Sequence, residues 1–360
     1  MMPQLPLPPG STLGILGGGQ LGRMLALAAA RLGFDVAVLE RDADSPAGRV
    51  AAHTIVGAYD DPQALEALAA VAQVVTFEFE NVPAESVLKL KALGVEVAPG
   101  PEALAVAQDR IAEKQFLNAS GAPTVAYASA DSAEEAVAAA HQLGAPVLMK
   151  TRREGYDGKG QRWVEHAEQA AEVFAALGSV PVILEAPADF VRELSIIAAR
   201  GRDGATAVYP LSENHHEGGV LRRTLAPANV GEDLAFQAEK IAARILKGLD
   251  YVGVVGIELF ELKDGTLLVN EIAPRVHNTG HWTQDGCAVD QFEQHIRAVA
   301  GWPLGPTVPH ARVEMLNLLG DEADAWAKLA HEPDTRLHLY GKREAKPGRK
   351  MGHVNKVRML

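Results

Sequence analysis

Short apolar stretches alternate with longer amphipathic stretches over the first hundred residues of the chain. Strands are predicted at residues 12–16, 36–39, 74–77 and 95–98, and helices at about 22–32, 62–70 and 83–93. Apolar strands that alternate with helices in this way are typical of a parallel sheet covered on both faces. The pattern therefore predicts an α/β, Rossmann-like domain over residues 1–100, which ends at Pro99-Gly100-Pro101.

Beyond residue 100 the helical and strand-like stretches alternate less regularly, which indicates α+β structure. Helices are predicted at 109–119, 132–143, 167–177, 233–247 and 290–299, and strands at 147–150, 182–185, 193–200, 206–211, 252–260, 266–269 and 337–340. Ser132 and Glu135 have the spacing of a capping box. We predict one domain of two α+β lobes over residues 101–303, with a lid near 151–185, and a small domain over residues 304–360.

Charge and cysteine content argue against several classes of protein. The chain has 34 Lys and Arg against 46 Asp and Glu, a net charge of −12, which argues against a general nucleic-acid binder or a protein held on an anionic membrane. The single cysteine allows no intrachain disulfide and indicates a reducing, cytoplasmic environment. No apolar run approaches the roughly 18 residues that a membrane span requires.

Two carboxylates belong to neighbouring predicted strands. Glu258 lies within one strand, and Asn270-Glu271 directly follows the next. Two buried acids that face each other repel unless a cation lies between them, and ion pairs with buried arginines are the alternative. The segment that follows contains a cation, an imidazole and an amide suited to an anion: Arg275, His277 and Asn278. The pattern predicts a Mg²⁺–nucleotide site beside an anion, and disfavours a histidine-bound metal because the acids suit Mg²⁺ better.

Gly17-x-Gly19-x-x-Gly22 follows the first predicted strand, and Glu40 ends the second. This is the dinucleotide fingerprint, which by itself predicts a nicotinamide enzyme. The same glycines would let any phosphate approach the N-terminus of the following helix. A nicotinamide, a phosphate-bearing substrate and a purely structural turn all remain open on this motif alone.

A second glycine-rich segment, residues 154–161, follows Lys150 at the end of a strand. It lacks the Walker A pattern, but its amides could bend over phosphates that Lys150 reaches as a point charge. A solvated turn with a surface lysine is the alternative. Glu185 ends a later strand and Glu193 follows it, an arrangement that could serve an adenine and a ribose, although acids at strand ends are often only solvated.

Basic residues concentrate between residues 340 and 353 of an otherwise acidic chain. Pro347-Gly348 indicates a turn, and a strand is predicted just before this segment. A hairpin whose lysine and arginine hold a substrate phosphate is therefore favoured over a disordered basic tail that contacts nucleic acid.

In this order, the features resemble the ATP-grasp superfamily and, more closely, the N5-carboxyaminoimidazole ribonucleotide synthetases, ATP-dependent carboxylases of purine biosynthesis. The resemblance rests on the strings GGGQLGRM (17–24), TFEFENVP (76–83), GYDGKGQ (155–161), NEIAPRVHNTGHWT (270–283) and PGRKMGH (347–353). They span nearly the whole chain, and the last two are specific to this family. Family members commonly continue past the Gly-His-x-Asn segment, whereas this chain stops at Leu360.

The resemblance implies an ATP-grasp fold with an N-terminal Rossmann-like domain and a small C-terminal domain. It implies that ATP phosphorylates bicarbonate to carboxyphosphate, and that the amine of 5-aminoimidazole ribonucleotide then captures the carboxyl group, with ADP and phosphate released. ATP and Mg²⁺ are the implied cofactors. A cytoplasmic homodimer without nucleic-acid or membrane partners is the implied setting.

Carried over position by position, the resemblance assigns roles to residues of this chain. ATP would contact Arg110, Lys150, Gly155, Tyr156, Asp157, Gly158, Lys159, Gly160, Gln161, Glu185, Ala186, Pro187, Ala188, Glu193, His216, Asn270 and Glu271. Mg²⁺ would bind Glu258 and Glu271, and bicarbonate and carboxyphosphate would bind the catalytic residues Arg275, His277 and Asn278. The ribonucleotide would contact Gln20, Glu78, Tyr156 and Asp157, with Lys342 and Arg349 on its phosphate.

Three alternatives stay open. Another ATP-grasp purine enzyme, such as a formate-dependent glycinamide ribonucleotide transformylase, would share the ATP residues but not the PGRKMGH segment. A nicotinamide oxidoreductase would use the first glycine motif, and a non-catalytic nucleotide-binding protein would show no turnover.

Overall fold

The computed structural model describes residues 5–155 and 158–360. Its first unit contains β1 (Thr12–Leu16), α1 (Gln20–Arg31), β2 (Asp35–Glu40), β3 (His53–Val56), α2 (Pro62–Val71), β4 (Val74–Phe77), α3 (Ala84–Ala92) and β5 (Glu96–Val97). The five strands form a parallel sheet in the order β3-β2-β1-β4-β5. Leu16, Leu39 and Phe77 are fully buried in it, because helices cover both faces of such a sheet.

A smaller antiparallel sheet forms the next unit. It follows α4 (Pro101–Ala107) and α5 (Arg110–Ala119), and contains β6 (Tyr127–Ala130), α6 (Ala133–Leu143), β7 (Val147–Thr151), β8 (Gln161–Val164), a 3₁₀ turn (Ala167–Gln169), α7 (Ala170–Ala176) and β9 (Val182–Glu185). The strand order is β6-β9-β7-β8. Ser132 caps α6 as predicted, by accepting the Glu135 N–H at 3.2 Å, while the Glu135 carboxylate accepts the N–H of Asp131.

The largest sheet is antiparallel and has nine strands. Its strands are β10 (Phe190–Arg200), β11 (Thr206–Val208), β12 (Ser212–Glu217), β13 (Val220–Ala226), β14 (Gly253–Leu262), β15 (Leu267–Ala273), β16 (Ala311–Leu319), β17 (Thr335–Leu339) and β18 (Lys350–Met359). The order is β15-β14-β10-β12-β13-β16-β18-β17, with β11 beside β10. Four helices accompany it: α8 (Glu232–Gly248), α9 (Thr283–Gly286), α10 (Gln291–Ala300) and α11 (Trp326–Ala330). The C-terminal strands thus share a sheet with the preceding lobe.

Several strands of this sheet differ from the prediction, among them β16 (Ala311–Leu319), which was not predicted. The strand expected to end at residue 269 continues as β15 to Ala273, because Asn270 and Glu271 remain in the ladder despite their polar side chains. The β12–β13 hairpin was not predicted at all. The sequence of β12, Ser-Glu-Asn-His-His-Glu, has none of the apolar alternation by which a half-buried strand is recognised.

A buried histidine connects the N-terminal sheet to the large sheet. His295 on α10 accepts the Val254 N–H on Nδ1 at 3.1 Å, so Nε2 carries the proton and donates to Thr76 Oγ1 at 2.8 Å. Helices α1 and α10 pack together beside it in one continuous apolar core. His295 therefore joins β4 of the N-terminal sheet to β14, the strand that carries Glu258. None of the helices described has the length and apolar character needed to cross a membrane.

Candidate active site

Glu258 and Glu271 lie directly opposite each other on β14 and β15. Burial, together with the negative charge of Glu271, raises the pKa of Glu258 to about 7. Asn270 Nδ2 donates to Glu258 Oε2 at 3.3 Å, and Arg110 Nη1 lies 3.3 Å from Glu271 Oε2. Two carboxylates held this close favour a cation between them.

The donor set of this acid pair fits Mg²⁺. The ion prefers hard oxygen ligands and is commonly held by one or two carboxylates, with water and substrate phosphates at the other positions. Glu258 and Glu271 would hold the ion, and the Asn270 amide lies beside them. Within residues 5–155 and 158–360, no group of three or more His, Cys, Asp or Glu side chains is arranged to hold a metal.

Glu185 lies at the end of β9 between two lysines. Lys150 Nζ is 2.6 Å from one carboxylate oxygen and Lys114 Nζ is 3.2 Å from the other. Lys114 also donates to the carbonyl of Asn270 at 2.8 Å. Burial alone would raise the pKa of Glu185, but the two ammonium groups lower it to about 2. Lys114 was not predicted, although its place four residues after Arg110 on α5 puts it on the same helix face.

Two further carboxylates near the site, the buried Glu113 and the half-buried Glu80, were also not predicted. Glu113 accepts the Ile272 N–H at 2.7 Å, and burial raises its pKa to about 8. Glu80 binds the guanidinium of Arg275 through both oxygens, with Oε1 3.1 Å from Nη2. Burial alone would raise the pKa of Glu80, but Arg275 lowers it to about 2. Glu80 does not bind the third nitrogen of the guanidinium, Nη1, which donates to the carbonyl of Val276 at 3.1 Å.

His277 and Asn278 extend the site beyond the acid pair. His277 Nε2 lies 3.8 Å from Glu258 Oε1, and Nδ1 lies 2.8 Å from Thr279 Oγ1. Burial and the charge of Arg275 lower the pKa of His277 to about 3, so the ring is neutral at physiological pH. Asn278 exchanges amide hydrogen bonds with the buried Asn317. The predicted anion-binding residues therefore adjoin the acid pair.

The glycine-rich loop between β7 and β8 approaches this site from the smaller sheet. The carbonyl of Gly155 accepts from Arg110 Nη2 at 2.9 Å, which connects the loop to the acid pair. Gly158 and Gly160 have φ of 75° and 71°, in the left-handed region that favours glycine. A Cβ at Gly158 would lie 3.0 Å from the carbonyl of Gly218 in the β12–β13 turn. Among the other predicted loop residues, Lys159 and Gln161 are described, and Tyr156 and Asp157 lie outside the described residues.

Glu193 and His216 form a pair on adjacent strands. Glu193 Oε2 lies 2.5 Å from His216 Nδ1. Burial alone would lower the pKa of His216, but the carboxylates of Glu193 and Glu258 raise it. In the predicted adenine-binding linker, the Ala186 N–H donates to the carbonyl of Ala126 at 2.9 Å. Pro187 is exposed and Ala188 is half-buried at the start of the chain's return into β10.

Three N–H groups of the first glycine loop donate hydrogen bonds to carboxylate side chains of the same chain. Glu78 Oε2 accepts the Gly22 N–H at 2.6 Å, and its other oxygen accepts the N–H of Gly19. Glu40 accepts a third N–H of the loop at 2.7 Å. A dinucleotide pyrophosphate would need these same donors, which weighs against the nicotinamide alternative. Gln20 begins α1 beside them.

Lys342 and Arg349 belong to the loop between β17 and β18. Lys342 Nζ donates to the carbonyl of Lys350 at 2.8 Å, and Arg349 donates within the same loop. Arg343 forms an ion pair with Asp44 in the segment after β2. The basic loop therefore lies against the N-terminal unit, which carries the first glycine loop.

Three family models match consecutive parts of the chain. They are the ribonucleotide synthetase preATP-grasp domain (residues 11–108), the ATP-grasp domain (115–292) and the phosphoribosylaminoimidazole carboxylase C-terminal domain (314–359). Fold and site thus define an ATP-grasp protein with a preATP-grasp domain before it and a carboxylase-type domain after it.

Individual relatives narrow this class. The N5-carboxyaminoimidazole ribonucleotide synthase of Brucella melitensis biotype 1 is 51% identical over 99% of both chains. The structure of N5-carboxyaminoimidazole ribonucleotide synthetase from Thermus thermophilus is 44% identical with a TM-score of 0.90, over 96% of this chain and 93% of that one. The chain belongs to the N5-carboxyaminoimidazole ribonucleotide synthase family, which confirms the resemblance seen in its sequence.

A further similar structure was determined with a nucleotide and a ribonucleotide bound. It is that of N5-carboxyaminoimidazole synthase from Aspergillus clavatus in complex with ADP and 5-aminoimidazole ribonucleotide. It is 32% identical with a TM-score of 0.91, over 98% of this chain and 95% of that one.

Proposed function

We propose that this chain catalyses the ATP- and bicarbonate-dependent carboxylation of 5-aminoimidazole ribonucleotide in purine synthesis. A bicarbonate oxygen attacks the γ-phosphorus of ATP, which gives carboxyphosphate and ADP. The exocyclic amine then attacks the carboxyl carbon, the bond from carbon to the phosphate oxygen breaks, and the amine loses a proton. The products are N5-carboxyaminoimidazole ribonucleotide, ADP and phosphate.

One observation carries this proposal: the acid pair of Glu258 and Glu271 adjoins residues that are suited to binding a small anion. His277 Nε2 is 3.8 Å from Glu258 Oε1, and Arg275 and Asn278 flank His277 along the chain. A phosphorylated anion formed at the acid pair would therefore already lie beside these residues. Holding reactants together in this way converts a bimolecular step into a nearly unimolecular one.

The nucleotide end of the site would neutralise charge and exclude water. Mg²⁺ bound by the acid pair would neutralise charge on the β- and γ-phosphates. Lys150 and Arg110 add fixed positive charge, and Arg110 contacts both Glu271 and the carbonyl of Gly155. The glycine loop is thereby connected to the metal ligands. Its closure would keep water from carboxyphosphate, which hydrolyses readily.

The anion end of the site, formed by Arg275, His277 and Asn278, combines a fixed positive charge with neutral hydrogen-bond donors. Glu80 binds the Arg275 guanidinium through two nitrogens, Nε and Nη2, along one edge, which fixes its orientation. His277 is neutral because its pKa is lowered to about 3, so it can donate a hydrogen bond and would not repel a Mg²⁺ ion held by Glu258 and Glu271. We assign these two residues and Asn278 to bicarbonate and carboxyphosphate.

The ribonucleotide would bind between the N-terminal unit and the basic loop. We assign Lys342 and Arg349 to its phosphate, because the loop that carries them contacts the segment after β2 through the Arg343–Asp44 ion pair. The remaining contacts proposed for it are Gln20, Glu78, Tyr156 and Asp157. The proposal further includes the domain ranges 1–100, 101–303 and 304–360, a homodimer, and a cytoplasmic location, for which the buried thiol of Cys287 is suited.

Substrate dependence of ADP release tests the proposal. We expect ADP to form only when ATP, Mg²⁺, bicarbonate and 5-aminoimidazole ribonucleotide are all present, apart from slow uncoupled hydrolysis. ADP release that requires formate and glycinamide ribonucleotide instead would favour the transformylase. Protection against thermal unfolding by NADH but not by ATP would favour the oxidoreductase, and no turnover with any substrate would favour a binding protein.

The Glu271→Gln variant tests the metal site within that assay. Glutamine is nearly isosteric but removes one of the two charges that hold Mg²⁺, so turnover should fall by at least about a hundredfold with the fold intact. Glu232→Gln makes the same change on an exposed position of α8 and should leave turnover unchanged. Near-wild-type activity of Glu271→Gln would contradict the metal role.

A further inference from the structure

A buried amide from the C-terminal strands contacts the anion end of the site. Asn317 on β16 is 2% exposed. Its Nδ2 donates to Asn278 Oδ1 at 2.8 Å, and its Oδ1 accepts from Asn278 Nδ2 at 3.0 Å. Nδ2 also donates to the backbone carbonyl of Leu221 on β13 at 2.8 Å. Both protons of the Asn317 amide are thus used.

The Leu221 carbonyl determines which way both amides point. A carbonyl can only accept, so the Asn317 atom that faces it must be the nitrogen. That leaves Asn317 Oδ1 to accept from Asn278, which in turn must present its own nitrogen there. The oxygen and nitrogen of Asn278, which otherwise could exchange places by rotation of the amide, are therefore fixed.

We propose that Asn317 is a positioning residue for the reaction, which orients Asn278 so that one amide N–H is directed at bicarbonate and carboxyphosphate. In the reciprocal pair, each amide uses one N–H and one oxygen lone pair. The second N–H of Asn278 is then its remaining donor, in a fixed direction. This inference rests on the proposed function, since it assigns Asn278 to the reacting anion.

The backbone beside Asn278 is held by another buried amide. Gln291 Oε1 accepts the His277 N–H at 2.9 Å, and its Nε2 donates to the His277 carbonyl at 2.8 Å. A Cβ at Gly280 would lie 2.6 Å from Gln291 Oε1, so the turn is closely packed on this amide. With the main chain held in this way, rotation of the Asn278 side chain is the freedom that Asn317 removes.

Kinetics of single and double variants separate positioning from simple structural support. Asn317→Leu removes both amide contacts, and Asn317→Asp keeps the shape but replaces the donor by an acceptor. We expect each to lower kcat/KM for bicarbonate about tenfold or more, because misdirected contacts to a reacting group are costly. KM for ATP should change less than twofold. Adding Asn317→Leu to Asn278→Ala should cause no further loss, since Asn317 acts through Asn278.

Asn355→Leu is the matched control. Asn355 is also a fully buried amide of the C-terminal strands, but it contacts His281 and Asp285 rather than Asn278. It should keep wild-type kcat/KM for bicarbonate, and thermal unfolding checks that every variant is folded. Equal losses in Asn355→Leu, an equal rise in KM for ATP, or additive losses in the double variant would overturn the inference. A wild-type protein without bicarbonate-dependent ADP release would instead overturn the proposed function.

Discussion

Replacing Lys114 by methionine removes one of the two cations that hold the buried Glu185 carboxylate. Lys114 is 1% exposed and Glu185 5% exposed, and their charged atoms are 3.2 Å apart. Methionine keeps most of the aliphatic stem, so little cavity is expected. The change therefore tests the charge of Lys114 rather than its volume.

The magnitude follows from the two groups that lose a partner. The pKa of Glu185 falls from 4.5 to about 2 with both lysines present, which corresponds to about 3 kcal/mol in the free energy of unfolding at neutral pH. Losing one of two lysines should forfeit at least half of that, because burial opposes the lysines and its effect remains. The buried carbonyl of Asn270 loses its donor as well, at a cost of about 1–2 kcal/mol. We expect a total destabilisation of about 3 kcal/mol, in the range found when buried ion pairs lose one partner.

Urea unfolding at pH 7, followed by tryptophan fluorescence, measures this loss. Lys89→Met is the control, because Lys89 and Glu66 lie 3.1 Å apart but are 40% and 54% exposed. An exposed pair of this kind contributes about 0.5 kcal/mol. KM for ATP should also rise in Lys114→Met, because Glu185 then pairs with Lys150 alone. A loss no larger than that of Lys89→Met would refute the reasoning.

Three further predictions concern other parts of the molecule. Gly19→Ala would place a Cβ 2.5 Å from an oxygen of the buried Glu78 carboxylate and should destabilise the protein by about 2 kcal/mol in the same urea assay. Gly231→Ala is the control, because Gly231 is also a helix N-cap but has open space around it, and should cost about 0.5 kcal/mol. Burial lowers the pKa of His295 to about 4, so below pH 6.5 the unfolded state binds more protons than the folded state. As the pH falls from 7.5 to 5, this ring should therefore lower the free energy of unfolding by about 2 kcal/mol. His295→Gln should flatten that part of the pH–stability curve, and an unchanged curve would contradict a neutral buried ring. Arg349→Ala should raise KM for the ribonucleotide at least about tenfold, with little change in KM for ATP. Arg358→Ala is the control and should change neither KM. If Arg349→Ala raises both KM values equally, Arg349 does not bind the substrate phosphate.

The fold could largely be predicted because its buried strands are apolar and locally periodic. Four of the five strands of the N-terminal sheet follow directly from such runs, as in β1 and β4, whereas β3 was not predicted. The polar strand β12 and the polar end of β15 were missed for the same reason. In β15 the exception is functional, since Glu271 continues the ladder while its side chain joins the acid pair. Sequence-level rules commonly fail where a strand carries functional residues, and β15 carries Glu271 of the proposed metal site.

Residues that support the site depend on contacts between distant parts of the chain. Lys114 contacts the carbonyl of a residue 156 positions away, and Glu80 contacts a residue 195 positions away. No local spacing reports such pairs. The helical spacing of Lys114 relative to Arg110 was the one local signal, and it indicates a shared face without naming the partner on it. By contrast, the first glycine motif is local, and only the structure reveals that Glu78 takes its amides.

The transfer of bicarbonate oxygen to phosphate tests the central claim most directly. The enzyme would be supplied with ATP, Mg²⁺, 5-aminoimidazole ribonucleotide and bicarbonate labelled with oxygen-18, and the released phosphate analysed by mass spectrometry. If bicarbonate attacks the γ-phosphorus and the amine then displaces phosphate from carbon, each phosphate carries one labelled oxygen. Unlabelled phosphate formed together with carboxylated product would contradict a carboxyphosphate intermediate, and with it the role given to the acid pair and its neighbouring anion residues.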